Sequence, residues 1–302
     1  MSNPSLTQVY GVLILVQLIF GLHYIMTDLI VEKIEGFEWT SIRILFAGIL
    51  MFLIYRNKIT YIPQRHEWGY LVLLSCLGIV INTGLFTKGL ELTTPAHASL
   101  LSCMIPVMTL VFAWFLGYEA LNRYKTLSLL VAMSGALILL KIDDLDISSD
   151  LFLGDILVLI NFSSFALFLV LSKSIIEQYS PLGLTVLVMC IGSVLLLPLS
   201  VKGMYLNYDV WLEQPWWFWC AAIYSIVFAT VIAYSLNYYA MAHVEPSKVA
   251  LFIYLQPVVA GFVSISLGRD EITPRLVASS LLILCGLYLS TIESSSSPEI
   301  SQ

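Results

Sequence analysis

Residues 95–107 read PAHASLLSCMIPV, and residues 246–258 read PSKVALFIYLQPV. Proline opens both stretches, Leu100 is answered by Leu251, and Pro106-Val107 is answered by Pro257-Val258, all at one offset of 151. Downstream, Gly135 has its counterpart in Gly286 at the same offset, and Gly117-Tyr-Glu-Ala-Leu corresponds to Gly268-Arg-Asp-Glu-Ile, with Glu119 matching Glu271 after a one-residue slip. The earlier parts match loosely, Gly11 and Gly154 each opening a long apolar run. Chance produces one such match; several at a single offset mark a duplicated chain.

The surroundings of the repeat say what was duplicated. Of the 302 residues, 59% are hydrophobic and 11% charged, against roughly 25% charged in a soluble domain. A bilayer can cover that much apolar surface and water cannot. A membrane-spanning helix needs about 20 apolar residues. Runs near that length recur at 9–30, 38–55, 68–90, 95–117, 125–141, 152–173, 182–201, 216–240, 246–267 and 274–292. Pro95, Pro181, Pro246 and Pro274 stand at run starts, where a missing N–H does no harm. The fold class expected is an all-α membrane protein of ten transmembrane helices, a first five-helix repeat over 1–145, a second over 146–293, and a disordered serine-rich tail over 294–302. Each half holds an odd number of helices, so the second must enter the membrane upside down. Inverted repeats are a common plan of secondary transporters, with the site at the repeat interface. A duplicated scaffold that moves nothing is the bland alternative.

Several classes are excluded or disfavoured. A net charge of -6 argues against nucleic acid, which wants basic patches. Cys76, Cys103, Cys190, Cys220 and Cys285 all lie in apolar runs without a C-x-x-C pair and read as small hydrophobes, not as a metal site or disulfide frame. The opening Met-Ser-Asn-Pro-Ser lacks a basic region, and its apolar run reads as a first membrane helix, not a signal peptide. No H-E-x-x-H, G-x-S-x-G or P-loop motif is present. An intramembrane enzyme and a membrane receptor or scaffold remain the alternatives. No cofactor, metal or catalytic residue is expected; the expected partners are a small solute and the lipid bilayer, with the protein a monomer or homodimer.

Ten helices put both termini on one side. Arg56, Lys58, Arg65, Arg123, Lys125 and Lys173 fall in loops of that side, and Lys33, Lys141, Lys202, Arg269 and Arg275 in the opposite loops. The weak excess, concentrated in the early loop 56–67, places both termini in the cytoplasm of a cell membrane.

Polar residues within the apolar runs face a cavity or a neighbouring helix, because lipid contact is costly. In the first helix Gln17, Gly21, Tyr24 and Asp28 share a face; Gln17 either lines a cavity or bonds another helix. His23 points elsewhere; its side chain could shuttle a proton, but packing or a bond to a carbonyl is the favoured reading. Asp28 and Arg43 are expected to pair across the short connection between the first two helices. Asn82 and Phe86 in the third helix, Asn161 and Ser164 in the sixth, and Tyr234, Asn237 and Tyr238 in the eighth are candidate solute contacts, or ordinary helix packing. Lys88 snorkels to the interface. His97 and Lys248 occupy equivalent places. Gln256 precedes Pro257, and Pro106 and Pro257 are candidate hinges because each removes a helix hydrogen bond. Glu119 and Glu271 stand at helix ends as solvated or capping residues.

At the residues of the repeat the chain resembles the EamA-type transporters of the drug/metabolite transporter superfamily. The resemblance rests on Pro106-Val107, Gly117, Glu119 and Gly135, and again on Pro257-Val258, Gly268, Glu271 and Gly286, with Arg43 also fitting; it runs over nearly the whole chain. It implies a central cavity lined by helices 1, 3, 4, 6, 8 and 9, with 5 and 10 packed outside. It also implies movement of an amino acid, metabolite or drug-like solute, more often as export than uptake.

Overall fold

The computed structural model describes residues 4–93, 98, 101–139, 149–206, 208–256, 258–259, 262 and 273–296, with backbone alone at 139, 149–151, 177, 199–200, 202–204, 206 and 290–296. The membrane helices are α1 (Leu6–Val31), α2 (Gly36–Tyr55), α3 (Trp68–Leu92), α4 (Met104–Phe115), α5 (Arg123–Leu139), α6 (Ser149–Lys173), α7 (Pro181–Leu206), α8 (Trp216–His243), α9 (Pro246–Leu251) and α10 (Pro274–Ser296). Six of them are long and apolar enough to cross a membrane. Each answers an apolar run of the sequence. Helix α10 continues to Ser296, into the stretch read as a tail. His97, Pro257, Gly268 and Glu271 lie outside the described residues.

Helix ends follow local chemistry. Ser5 and Gln8 form a reciprocal capping box at α1, and Pro246 occupies the first turn of α9. Gly117 closes α4 with φ +75°, a conformation that favours glycine. The Tyr118 and Glu119 N–H groups then return to the Ala113 carbonyl. The Glu119 carboxylate, buried at 6% exposure, accepts from the Ser247 N–H at 3.0 Å, the Ser247 hydroxyl at 2.5 Å and Lys125 Nζ at 3.0 Å. It therefore caps the start of α9, where the helix dipole favours an anion.

The packing is itself two-fold. α5 lies on α10 and α2 on α7; α3 lies on α6 as α1 lies on α8; α4 meets α9. Gly135 and Gly286 set the α5–α10 approach. A Cβ at Gly135 would come within 2.7 Å of the Ser279 carbonyl, and one at Gly286 within 2.6 Å of the Ala132 nitrogen.

Loop contacts give the direction of each half. Gln178 Nε2 donates to Glu67 at 2.8 Å and Ser180 Oγ to the Lys58 carbonyl at 3.2 Å, so loops 56–67 and 173–180 share one end. The far end of α3 holds the Gly36 N–H on Glu91, and the Thr93 hydroxyl on Asp155 at 2.5 Å. α2 and α6 therefore both start at that far end, and α1 starts at the opposite one. The two repeats are inverted. Large apolar side chains such as Leu53, Val111, Phe115, Val194, Ile223 and Leu281 remain exposed around the outside, which suits lipid.

Helices α3 and α8 each contain one wide turn of π-helix, Cys76–Ile81 and Val227–Ile232, at the same offset of 151 that relates the sequence repeats. Such turns leave carbonyls off the regular ladder. Side chains take some of them up: Asn82 Nδ2 at the Gly78 carbonyl (3.1 Å), Thr83 Oγ1 at Ile79 (2.7 Å) and Ser164 Oγ at Leu77 (2.7 Å). In α8, Thr230 Oγ1 reaches the Ser225 carbonyl (2.8 Å) and Ser235 Oγ that of Val231 (2.7 Å).

The fourth helix breaks at a turn at Cys103, and α4 restarts at Met104 with Pro106 in its first turn. The ninth tightens to a 3-10 turn at Phe252–Tyr254. The two interruptions stand one repeat apart and touch, the Tyr254 hydroxyl donating to the Cys103 carbonyl at 3.0 Å. The break thus comes just before Pro106, where the absent N–H costs least, not at a mid-helix kink.

Candidate functional site

A cavity of about 100 Å³ lies between the repeats; Ala229 of the α8 π turn lines it, and in α3 the lining residues follow the π turn. α1 contributes Phe20, His23 and Tyr24, α2 Arg43, and α3 Asn82, Thr83 and Phe86. Ile105 of α4, Phe162 and Phe165 of α6, Ala229 and Tyr234 of α8, and Ile253 and Gln256 of the ninth segment complete the wall. Aromatic rings dominate it. Tyr24 meets Phe86 edge-on at 5.5 Å, Phe20 meets Tyr234 edge-on at 6.3 Å, and Phe86 lies 6.4 Å from Phe162. Such edge contacts hold rings rigidly.

Asn82 links the halves. Its Nδ2 lies 3.1 Å from the Gly78 carbonyl and 3.4 Å from the Tyr234 hydroxyl. A carbonyl only accepts, so the NH₂ must face it, and the amide oxygen takes no hydrogen bond among the described residues. Arg43 is 4% exposed, and its Nη1 lies 2.6 Å from His23 Nε2. A guanidinium only donates. The His23 ring therefore accepts at Nε2, is neutral, and carries its hydrogen on Nδ1, which faces Ser225 Oγ at 3.3 Å. Thr27 lies beside the same ring.

Of the residues proposed from sequence, Tyr24, Asn82, Phe86, Tyr234 and Gln256 meet at the cavity. Gln17 stands behind the wall, 2% exposed, its Oε1 accepting from Gln256 Nε2 at 2.7 Å: of the two readings it takes the interhelical bond. Ser164 serves the α3 π turn. Asn161 is fully buried, neither amide atom having a partner, and Asn237 is also outside the lining. Tyr238 packs edge-on against Phe168 at 5.6 Å. The expected Asp28–Arg43 pair is not formed. Arg43 turns to His23, which lies about one and a half turns before Asp28 in α1 and presents a ring nitrogen as acceptor to the guanidinium. Lys88 pairs with Glu91 at 2.6 Å and Glu35 at 3.4 Å, and none of the cysteines is in a disulfide among the described residues. Sequence reasoning missed Arg43 and His23 as cavity residues. The available signal was a cation well inside an apolar run, which by itself marks a functional position.

A bundle of inverted helical repeats enclosing one polar-and-aromatic chamber belongs to the membrane carriers as an architectural class. The EamA-like transporter family model matches residues 8–141 and 152–292; the chain belongs to that family. It is similar to the uncharacterized transporter YoaV of Bacillus subtilis, with 23% identity over 92% of this chain and 95% of that one. An uncharacterized transporter of Archaeoglobus fulgidus matches at 23% over 92% and 96%. The uncharacterized inner membrane transporter YedA of Escherichia coli K12 matches at 23% over 96% and 94%. A crystal structure superposes with a TM-score of 0.74 at 15% identity, covering 96% of this chain and 98% of that one, a likeness of fold.

Proposed function

We propose that the protein is a secondary transporter that moves a small metabolite across a cell membrane by alternating access, in the direction of export. The observation that carries this reading is the chamber at the repeat interface, walled by helices of both inverted halves. Two near-equivalent halves can exchange conformations, opening such a chamber first to one side and then to the other. Ion pairs stand at both ends of the bundle, Lys125 with Glu119 and Glu245 at one and Lys88 with Glu35 and Glu91 at the other, and the Lys125–Glu245 pair crosses from one repeat to the other. The halves are 1–145 and 146–293, both termini lie in the cytoplasm, and the breaks next to Pro106 and Pro257 serve as hinges.

The test is uptake of labelled solutes by proteoliposomes of the purified chain, without ATP. Counterflow above that of protein-free vesicles is expected, and Asn82→Ala should lower it about tenfold while leaving membrane insertion intact, since one solute hydrogen bond is worth about 1 kcal/mol or a little more. Silence across a broad panel, with the protein shown to be folded, removes the transporter reading.

A further inference from the structure

Arg43 is a cation placed where a cation is expensive. It lies within a membrane helix, 4% exposed, and a guanidinium cannot shed its proton to escape the cost. The ion pairs among the described residues belong to Lys88 and Lys125, and Arg43 is in none of them. Its hydrogen-bond partner among the described residues is the neutral His23 ring, on Nη1. The Nε–H is buried with no acceptor. Arg43 lines the cavity, and a carboxylate that took the Nε–H and Nη2 together would bind it side-on through two parallel hydrogen bonds. A buried charge without a counter-ion costs several kcal/mol, so this edge is stabilised by whatever anion reaches it.

The rest of the wall narrows the ligand. Among the described lining residues there is no Asp or Glu, so no anionic side chain there balances an ammonium group beside Arg43. Rings from α1, α3, α6 and α8 supply apolar faces, and the Asn82 amide oxygen is an unused acceptor. We infer that the cavity is built for an organic carboxylate with an apolar or aromatic body and no cationic group, held side-on by Arg43. This rests on the transporter reading only in taking the cavity as the solute site. Amines, and zwitterions whose ammonium would lie against Arg43, are disfavoured by that like charge.

The test uses a matched series on the purified full chain: 3-phenylpropionate, 3-phenylpropanol, 3-phenylpropylamine and phenylalanine, which differ only at the head group. Affinity is read from the rise of apparent stability with ligand concentration. The carboxylate should bind at least about tenfold more tightly than each of the other three, as a charge-assisted bond predicts. Arg43→Gln should erase that preference, and Arg43→Lys, which keeps the charge but loses the fork, should keep part of it. The wild-type series decides the matter even if Arg43→Gln does not fold. Equal binding of the amine or alcohol, unchanged carboxylate binding in Arg43→Gln, or no binding of 3-phenylpropionate and of hexanoate overturns the inference. Proteoliposomes that accumulate the alcohol and not the carboxylate would overturn it while leaving the transporter reading in place.

Discussion

In α3 the π turn at Cys76–Ile81 is held by Asn82, Thr83 and Ser164, and in α8 the turn at Val227–Ile232 is held by Thr230 and Ser235. Position and function agree between the halves, although few side chains do. Helices α2 and α7 show the opposite. They pack on each other as symmetry mates, but α2 brings Arg43 to the cavity and, among the described residues, α7 brings none. What both halves keep is the mechanical part, the wide turns, the close helix crossings and the broken fourth and ninth helices. What one half alone has is the lining cation, Arg43. A duplicated chain is free to diverge wherever the solute, having no two-fold symmetry of its own, makes unequal demands.

The largest effects should fall on shared features. Gly135 and Gly286 lie one repeat apart, and an added Cβ at either meets backbone atoms within 2.7 Å, which no side-chain rotation relieves. Gly135→Ala and Gly286→Ala should each cost about 1–3 kcal/mol of stability, seen as lowered melting temperature in detergent. Loss at one glycine and neutrality at the other would break the equivalence of the two halves at the α5–α10 crossing.

A smaller and sharper test separates mechanics from recognition. Thr83→Val and Thr230→Val each strip a hydroxyl from a carbonyl in or just before a π turn, at similar volume. Each should cost about 0.5–1.5 kcal/mol, the worth of one hydrogen bond. Thr83 borders the cavity and Thr230 does not, so only Thr83→Val should also alter solute affinity. Equal changes of affinity would mean that the turns couple to the site as a unit.

The spans and the inversion were legible because composition and an offset repeat survive divergence, whereas the cavity was only half legible. Tyr24, Asn82, Phe86, Tyr234 and Gln256 converge on it, but a helical face is a stripe as long as the helix, and the chamber is only a few turns deep. Asn237 and Tyr238 continue the face of Tyr234 beyond that depth. On α6 the phase was misread: Phe162 and Phe165 face the chamber, and Asn161 and Ser164 lie about 100° away around the helix, toward the close contact with α3. The rule that polar residues face a cavity fails there because tight helix contacts bury polar groups equally well. Arg43 and His23 could not be paired from sequence, since partner choice across helices depends on rotation and depth that spacing does not encode.

The loops preceding α3 and α8 give the smallest expected difference. Before α8, Gln214 simply returns to the Val210 carbonyl. Before α3, Glu67 gathers the Gln64 N–H at 2.6 Å, the Tyr61 hydroxyl at 3.1 Å and Gln178 Nε2 at 2.8 Å. The Gln64 backbone bond above all, with those side chains, holds the Glu67 carboxyl below its ordinary value of 4.5. The sign follows from linkage: a group depressed in the folded state contributes stability above its ordinary value, and that contribution is lost as pH falls through the depressed one. Melting temperature of the wild type should therefore drop more between neutral pH and the region below 4.5 than that of Glu67→Gln, and the two curves should converge at the acid end. Because the group is exposed, salt should shrink the gap; parallel curves would mean that the cluster orders the loop without adding stability, and the two loops would then differ in geometry alone.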